Sequence, residues 1–211
     1  LRDLESVRDL PTGWLDEQDG GSYRLRRDPA AGTFDHVIGP HSLKNFLFPA
    51  RETIAAFTKA DGTWTQTRGP APDPPLALLG VRGCDLAALA IQDRVFLGSG
   101  YVDEGYKARR ERLFLVAVNC RRAAATCFCH SMGCGPAAGA GFDLALTEIG
   151  ARFACEVGSE RGAAVLADAI AAGAPVTECA ATEVEAARRV PRDLAARMHA
   201  RQGAADRPSP R

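Results

Sequence analysis

The chain has 211 residues, is 46% hydrophobic and balances 26 Lys and Arg against 26 Asp and Glu, so its formal net charge is zero. That size supports one sizeable α/β core with appendages, and the charge balance gives no support to nucleic-acid binding, which normally leaves a basic footprint. No stretch approaches the ~20 apolar residues of a membrane span, and the charged N-terminus has no apolar run of signal-peptide type.

Seven cysteines without a secretory signal point to a reducing cytoplasm and a metal role rather than a disulfide framework. The chain begins at Leu1 rather than Met, which reads as a fragment or a trimmed domain.

In chain order, Leu4, Val7 and Leu10 predict a short helix before Pro11, and Gly20-Gly21 breaks the chain after it. Residues 23–27 alternate large and charged side chains, the pattern of an exposed strand. Phe46, Leu47 and Phe48 are expected in the core. His36 and His41 are expected in loops rather than as ligands, since neither is near a cysteine in sequence. Asp61-Gly62 marks a turn into a β-rich arm at 63–67, and 70–75 is a proline-rich loop.

The apolar run 76–81 predicts a buried strand. Leu86, Leu89, Ala90, Phe96 and Leu97 then mark one face of a helix. Cys84 therefore falls at a strand-to-helix turn. The unpaired N–H groups and positive dipole end of a helix N-terminus favour an anionic thiolate there and lower its pKa. Residues 101–112 are dense in charge and are expected to form a solvated helix face; a docking surface or a phosphate contact is the alternative.

Residues 113–119 predict a second buried strand, with Cys120 at its end. Two strands that each end in a cysteine place both thiols at the carboxyl edge, where α/β sheets build their sites. The loop carrying Cys127, Cys129 and Cys134 is expected to fold back over that edge.

Residues 142–147 and 152–157 predict further strands, the second placing Cys155 in the core with Phe153 and Val157. Cys179 reads in the same way, as a small core residue. Ser159 caps a predicted helix with Val165, Leu166, Ala169 and Ile170 on its apolar face, stopped by Gly173 and Pro175. Thr182-x-x-Glu185 matches a capping box for a last helix, interrupted at Pro191. The polar stretch from Gln202 predicts a disordered tail.

The expected fold class is α/β, a central sheet with helices and a cysteine-rich cluster loop at the sheet's carboxyl edge. The expected organisation is an N-terminal extension at 1–22, an α/β cluster-binding domain at 23–180, a C-terminal helical segment at 181–201 and the tail at 202–211.

The chemistry concentrates in Thr126-Cys127-Phe128-Cys129-His130-Ser131-Met132-Gly133-Cys134-Gly135-Pro136. Soft thiolates this dense, with Cys84 and Cys120 upstream, suit an iron–sulfur cluster or zinc. A Cys127–Cys129 disulfide would close a very small, strained ring. Structural zinc sites usually take cysteines in pairs two to four residues apart, which is not this pattern, so spacing favours iron–sulfur and leaves zinc as the rival. A thiol enzyme with Cys127 or Cys129 as nucleophile would need His130 as its base, and neighbours in sequence rarely aim at each other.

The three motifs Gly80-Val81-Arg82-Gly83-Cys84-Asp85-Leu86, Val118-Asn119-Cys120 and 126–133 together resemble the beta subunits of soluble nickel–iron hydrogenases (sulfhydrogenases). The related A subunit of anaerobic sulfite reductase carries the same pattern. A fourth point of likeness is Leu47-Phe48-Pro49 before Arg51-Glu52, and the resemblance covers roughly 40–158. It departs at Gly83, where a proline is common, and at Cys134, where a threonine is common.

The resemblance implies an N-terminal electron-transfer domain holding a [4Fe–4S] cluster on Cys84, Cys120, Cys127 and Cys129, with Cys134 at a variable position. It also implies partners: flavoprotein and hydrogenase-type or reductase-type subunits, and a following ferredoxin-like module, whose cysteine-x-x-cysteine signature this chain lacks. FAD, which related deazaflavin-reducing subunits bind, is not favoured here, because no GxGxxG fingerprint is present.

Overall fold

The computed structural model describes residues 3–19, 21–37, 42–68, 74–98 and 100–205. Its centre is a four-stranded sheet in the order β5-β6-β7-β8, made by Leu76–Val81 (β5), Leu113–Val118 (β6), Leu144–Ile149 (β7) and Arg152–Val157 (β8). β5, β6 and β7 run parallel, and β8 returns antiparallel to β7. The fold is therefore α/β with a mixed central sheet, as the strand and helix periodicities predict. Two hairpins stand outside it: Trp14–Asp19 (β1) with Ser22–Arg27 (β2), and Ala55–Ala60 (β3) with Thr63–Arg68 (β4), the latter closed at Asp61-Gly62.

β6 is the inner strand that the apolar run predicts, with Leu113, Leu115, Ala117 and Val118 all buried. β5 differs. It lies at the sheet edge, so Leu78 and Val81 are buried while Ala77 and Leu79 face solvent. Neighbour number, which the run itself does not encode, decides that difference.

The helix Gly83–Phe96 (α2) follows β5 and buries Leu86 and Leu89. The short helix Lys44–Leu47 (α1) places Leu47 in the core at 1% exposure. Phe48 is more exposed than its composition suggests, but it stacks on Phe96 with ring centroids 4.6 Å apart. Phe96 in turn lies 4.9 Å from the ring of Tyr106.

Tyr106 corrects one expectation. The charged segment 101–112 contains the helix Glu104–Glu111 (α3), whose solvated face is interrupted by Tyr106 at 0% exposure. Its hydroxyl donates to Asp93 at 2.6 Å, and Arg110 reaches the same carboxylate at 3.1 Å. Burial, followed by the Asp93 contact, pushes the phenol well above its ordinary pKa. Tyr106→Phe deletes only this oxygen and is expected to cost about 1 kcal/mol, read as a lower midpoint with an unchanged slope in urea unfolding.

The β6–β7 connection ends in Asp143, just before the ladder begins at Leu144. Its carboxylate accepts from the Leu115 N–H at 2.8 Å, the Ser159 hydroxyl at 2.6 Å and Arg161 at 3.1 Å. Ser159 also accepts from the Gly162 N–H at 3.0 Å, capping the helix Glu160–Ala171 (α4) as predicted. The apolar face of α4 is less covered than its pattern suggests: Val165 and Ile170 remain exposed. Cys155 is only half-buried, between exposed Phe153 and Val157.

The last helix, Ala181–Ala205 (α5), overturns two readings. Pro191 does not interrupt it; the residue is buried inside one continuous helix. A proline within a helix forfeits one backbone bond and crowds the preceding turn, a penalty outweighed here by the burial of Leu194 and Met198. Nor is Thr182-x-x-Glu185 its cap. The helix has already begun at Ala181, Glu183 accepts from the Ala180 N–H at 3.0 Å, and Glu185 pairs with Arg192. Helix geometry extends past Gln202 to Ala205, and 206–211 lie outside the described residues, as does His41. Near the N-terminus, the short helix predicted from Leu4, Val7 and Leu10 is a single 3-10 turn, Val7–Asp9, and β1 was not foreseen.

No helix among the described residues is long and apolar enough to cross a membrane.

Candidate metal centre

The carboxyl edge of β5 and β6 carries Cys84 and Cys120, as their strand-end positions predict. Cys84 is the second residue of α2, and Cys120 follows β6 by two residues. Asn119 ties the next loop to the sheet. Its amide donates to the Thr147 hydroxyl at 2.7 Å and its side-chain oxygen accepts from the Ala138 N–H at 2.8 Å. The Cys120 N–H donates to the Pro136 carbonyl at 3.2 Å, so 120–138 returns over the edge. Within the loop, turns run from Cys127 N–H to the Ala124 carbonyl (3.1 Å) and from Cys134 N–H to the Cys129 carbonyl (3.0 Å).

Two glycines bring this loop against the helix tip. A β-carbon on Gly83 would strike the carbonyl oxygens of Cys134 and Ala137, and one on Gly135 would lie 2.9 Å from the Cys129 sulfur. Both backbones are therefore required bare for Cys129 and Cys84 to share one corner. At Gly83 the tip of α2 lies directly against the backbone of the loop.

Cys129 feels Cys120, Cys127 and Cys134, and Cys84 feels Cys120, Cys129 and Cys134. Burial first, then Asp85 and the thiols of Cys120, Cys129 and Cys134, push the Cys84 thiol up to about 12. Burial, then Cys120, Cys127 and Cys134, push Cys129 to about 11. Burial also raises Cys120, opposed by Arg82. These directions overturn the expectation that the helix N-terminus lowers the Cys84 thiol: crowded, partly dehydrated thiols oppose each other's ionisation more than one helix end assists it. Cys155 and Cys179 influence each other instead and are not part of this group.

Arg82 is the residue that the cysteine pattern passes over. It is buried, with one guanidinium nitrogen 3.9 Å from the Cys120 sulfur and the other donating to the carbonyls of Phe34 (2.8 Å) and His36 (3.1 Å). Its Nε is buried without a partner among the described residues. His36 is a loop residue, as expected, and its imidazole is held below its usual pKa by burial and by Arg82. A basic residue between a buried strand and a cysteine was the available signal for Arg82.

The loop is also gripped from two distant parts of the chain. From α5, Arg201 donates to the carbonyls of Ala124 (2.8 Å) and Cys127 (2.7 Å), and the His199 ring meets His130 edge-on at 5.6 Å. From β1, the fully buried Asp16 accepts from Arg122 at 2.6 Å and from the Val37 N–H at 2.6 Å, while Gln18 accepts from the Thr126 hydroxyl at 2.8 Å. No short-range pattern announces these partners.

Among the described residues, no group of three His, Cys, Asp or Glu side chains could hold a single metal ion. The soft sulfur donors lie along one edge of the sheet, and the buried Arg82 guanidinium reaches one of them, Cys120.

No protein-family profile matches the chain, and no solved structure matches it. Among curated proteins it is similar to sulfhydrogenase 2 subunit beta of Pyrococcus furiosus, with 37% identity over 119 residues. That match takes in 56% of this chain, and the chain spans 33% of the relative's length. Over that stretch the likeness is to a hydrogenase beta subunit.

Proposed function

We propose that the chain is the N-terminal domain of an iron–sulfur electron-transfer subunit in a multisubunit oxidoreductase of hydrogenase or sulfite-reductase type. What supports this reading is that Cys84 and Cys120 follow the carboxyl ends of β5 and β6, and that Gly83 and Gly135 let the loop of Cys129 lie against the tip of α2. Cys84, Cys120, Cys127 and Cys129 are the ligands of a [4Fe–4S] cluster, which supplies one-electron storage when bound. Cys134 is set apart by its own contact: its thiol lies 3.5 Å from the Cys129 carbonyl oxygen.

The chain's own residues do the rest. Burial opposes extra negative charge, and the Arg82 guanidinium offsets that opposition beside Cys120. Cys120, Cys127 and Cys129 are half-buried, while Cys84 is exposed at the helix tip. Phe128 and Met132, both exposed on the same loop, give partner subunits an apolar rim close to the electron. The likeness to a hydrogenase beta subunit supports partner subunits; we infer that these are of the flavoprotein and hydrogenase type, with a ferredoxin-like module.

Protein reconstituted anaerobically with iron and sulfide is expected to be brown, with about four irons and four acid-labile sulfides per chain. It should give a reduced-state paramagnetic signal on addition of dithionite. Stoichiometric zinc without labile sulfide, in protein from anaerobic cells, would instead identify a zinc-stabilised module.

A further inference from the structure

A cavity of about 440 Å³ lies beside the cysteine loop, between α5 and 121–123. Four guanidinium groups line it: Arg121, Arg122, Arg197 and Arg201. Leu194 and Met198, both nearly fully buried, form an apolar part of its wall. We propose that this cavity binds the phosphate groups of a small anionic ligand.

The charges are not all neutralised from within. Arg122 is paired at 2.6 Å with buried Asp16. Arg121 is shared loosely between Asp35, which also lines the cavity, and Glu148, each at 3.5 Å. Arg197 donates only to the Arg121 carbonyl at 3.4 Å, and Arg201 only to the Ala124 and Cys127 carbonyls, so neither has a carboxylate partner among the described residues. Two arginines of α5 without a carboxylate partner among the described residues thus line the same cavity as Arg121 and Arg122.

The planar fork of arginine matches phosphate oxygens two at a time, which a surface lysine does not. The volume falls within the range of small-ligand sites, and the apolar wall can take the organic part of such a ligand. An acidic protein segment would meet the same charges, but a concavity with a buried apolar wall favours a compact ligand. The inference does not depend on which metal the thiols hold.

The test is calorimetric titration of the full chain, loaded with its metal, at low ionic strength with inorganic pyrophosphate and separately with ADP. Saturable one-site binding is expected, weakened about tenfold or more by Arg197→Glu and less by Arg197→Gln. The side chain of Arg197 is exposed and makes one weak bond, so the circular dichroism and melting temperature of both variants should match the parent. Tighter binding of ADP than of pyrophosphate identifies a phosphorylated organic ligand; equal binding identifies the free anion, and either supports the site. No saturable binding by the parent chain, or affinity unchanged in Arg197→Glu, overturns the proposal. So does saturable binding of a polyglutamate peptide where pyrophosphate fails, which assigns the face to an acidic protein.

Discussion

Cys84→Ser, Cys120→Ser, Cys127→Ser and Cys129→Ser are each expected to abolish or convert the cluster, taking iron from about four per chain to a small residue. The effect is large because the corner is built by the whole fold. Cys84 is fixed by a helix start, Cys120 by a strand end, and the other two by a loop closed on Gly83 and Gly135. A serine oxygen is a harder donor than sulfur and a poorer ligand for a soft metal centre. Cys155→Ser and Cys179→Ser should keep full iron and sulfide, since those thiols belong to another part of the molecule. Cys134→Ser should also keep them. Loss in Cys134→Ser, together with retention in any one of the four, would show that the ligand set is different. Iron and sulfide assays with visible spectra, run side by side on all seven variants, decide the matter.

The second large effect is on folding. Asp143→Ala is expected to destabilise the protein by about 3 kcal/mol, or roughly 6–12 °C in melting temperature for a chain of this size. The substitution leaves the Leu115 N–H buried without its acceptor and removes the partner of Ser159, the cap of α4. The ion pair with Arg161 adds little to the total, because that side chain is half in solvent.

Burial alone would raise the Asp143 carboxyl. The Ser159 hydroxyl, the Leu115 N–H and the Arg161 guanidinium outweigh it and hold the group below the ordinary carboxylate range. A folded value below the unfolded one means that the contribution is complete above the unfolded pKa, near 3.9. It is lost as pH falls through the folded value. The stability gap between parent and variant should therefore be constant near neutral pH and shrink below about pH 4. A gap that persists unchanged into acid would contradict the assignment.

Much of this was legible locally. The run Leu76–Val81 followed by Gly83-Cys84 places a thiol at a strand-to-helix turn by periodicity alone, and Leu113–Val118 before Cys120 does the same. Ser159 was readable as a cap because capping is decided within four residues. What was not legible is long-range. The edge position of β5 depends on its having one neighbour in the sheet, and the burial of Tyr106 depends on Phe96 and Asp93 arriving from another helix. Helix propensity at Pro191 was overruled by packing that involves residues far upstream. The Cys84 thiol was misjudged for the same reason: a dipole is visible in sequence, while burial, the main cause of the rise, and the approach of Cys120, Cys129 and Cys134 are not.

The grip of Arg201 on the Cys127 carbonyl spans 74 positions of chain. During synthesis the cysteine loop leaves the ribosome well before α5, so for that interval it lacks the contacts of Arg201 and has only those of β1 and the helix tip. The contacts from β1 and from the tip of α2 can form before the last helix exists, and the clasp from α5 is added last. A chain cut short before α5 would carry every cysteine and still lack that clasp.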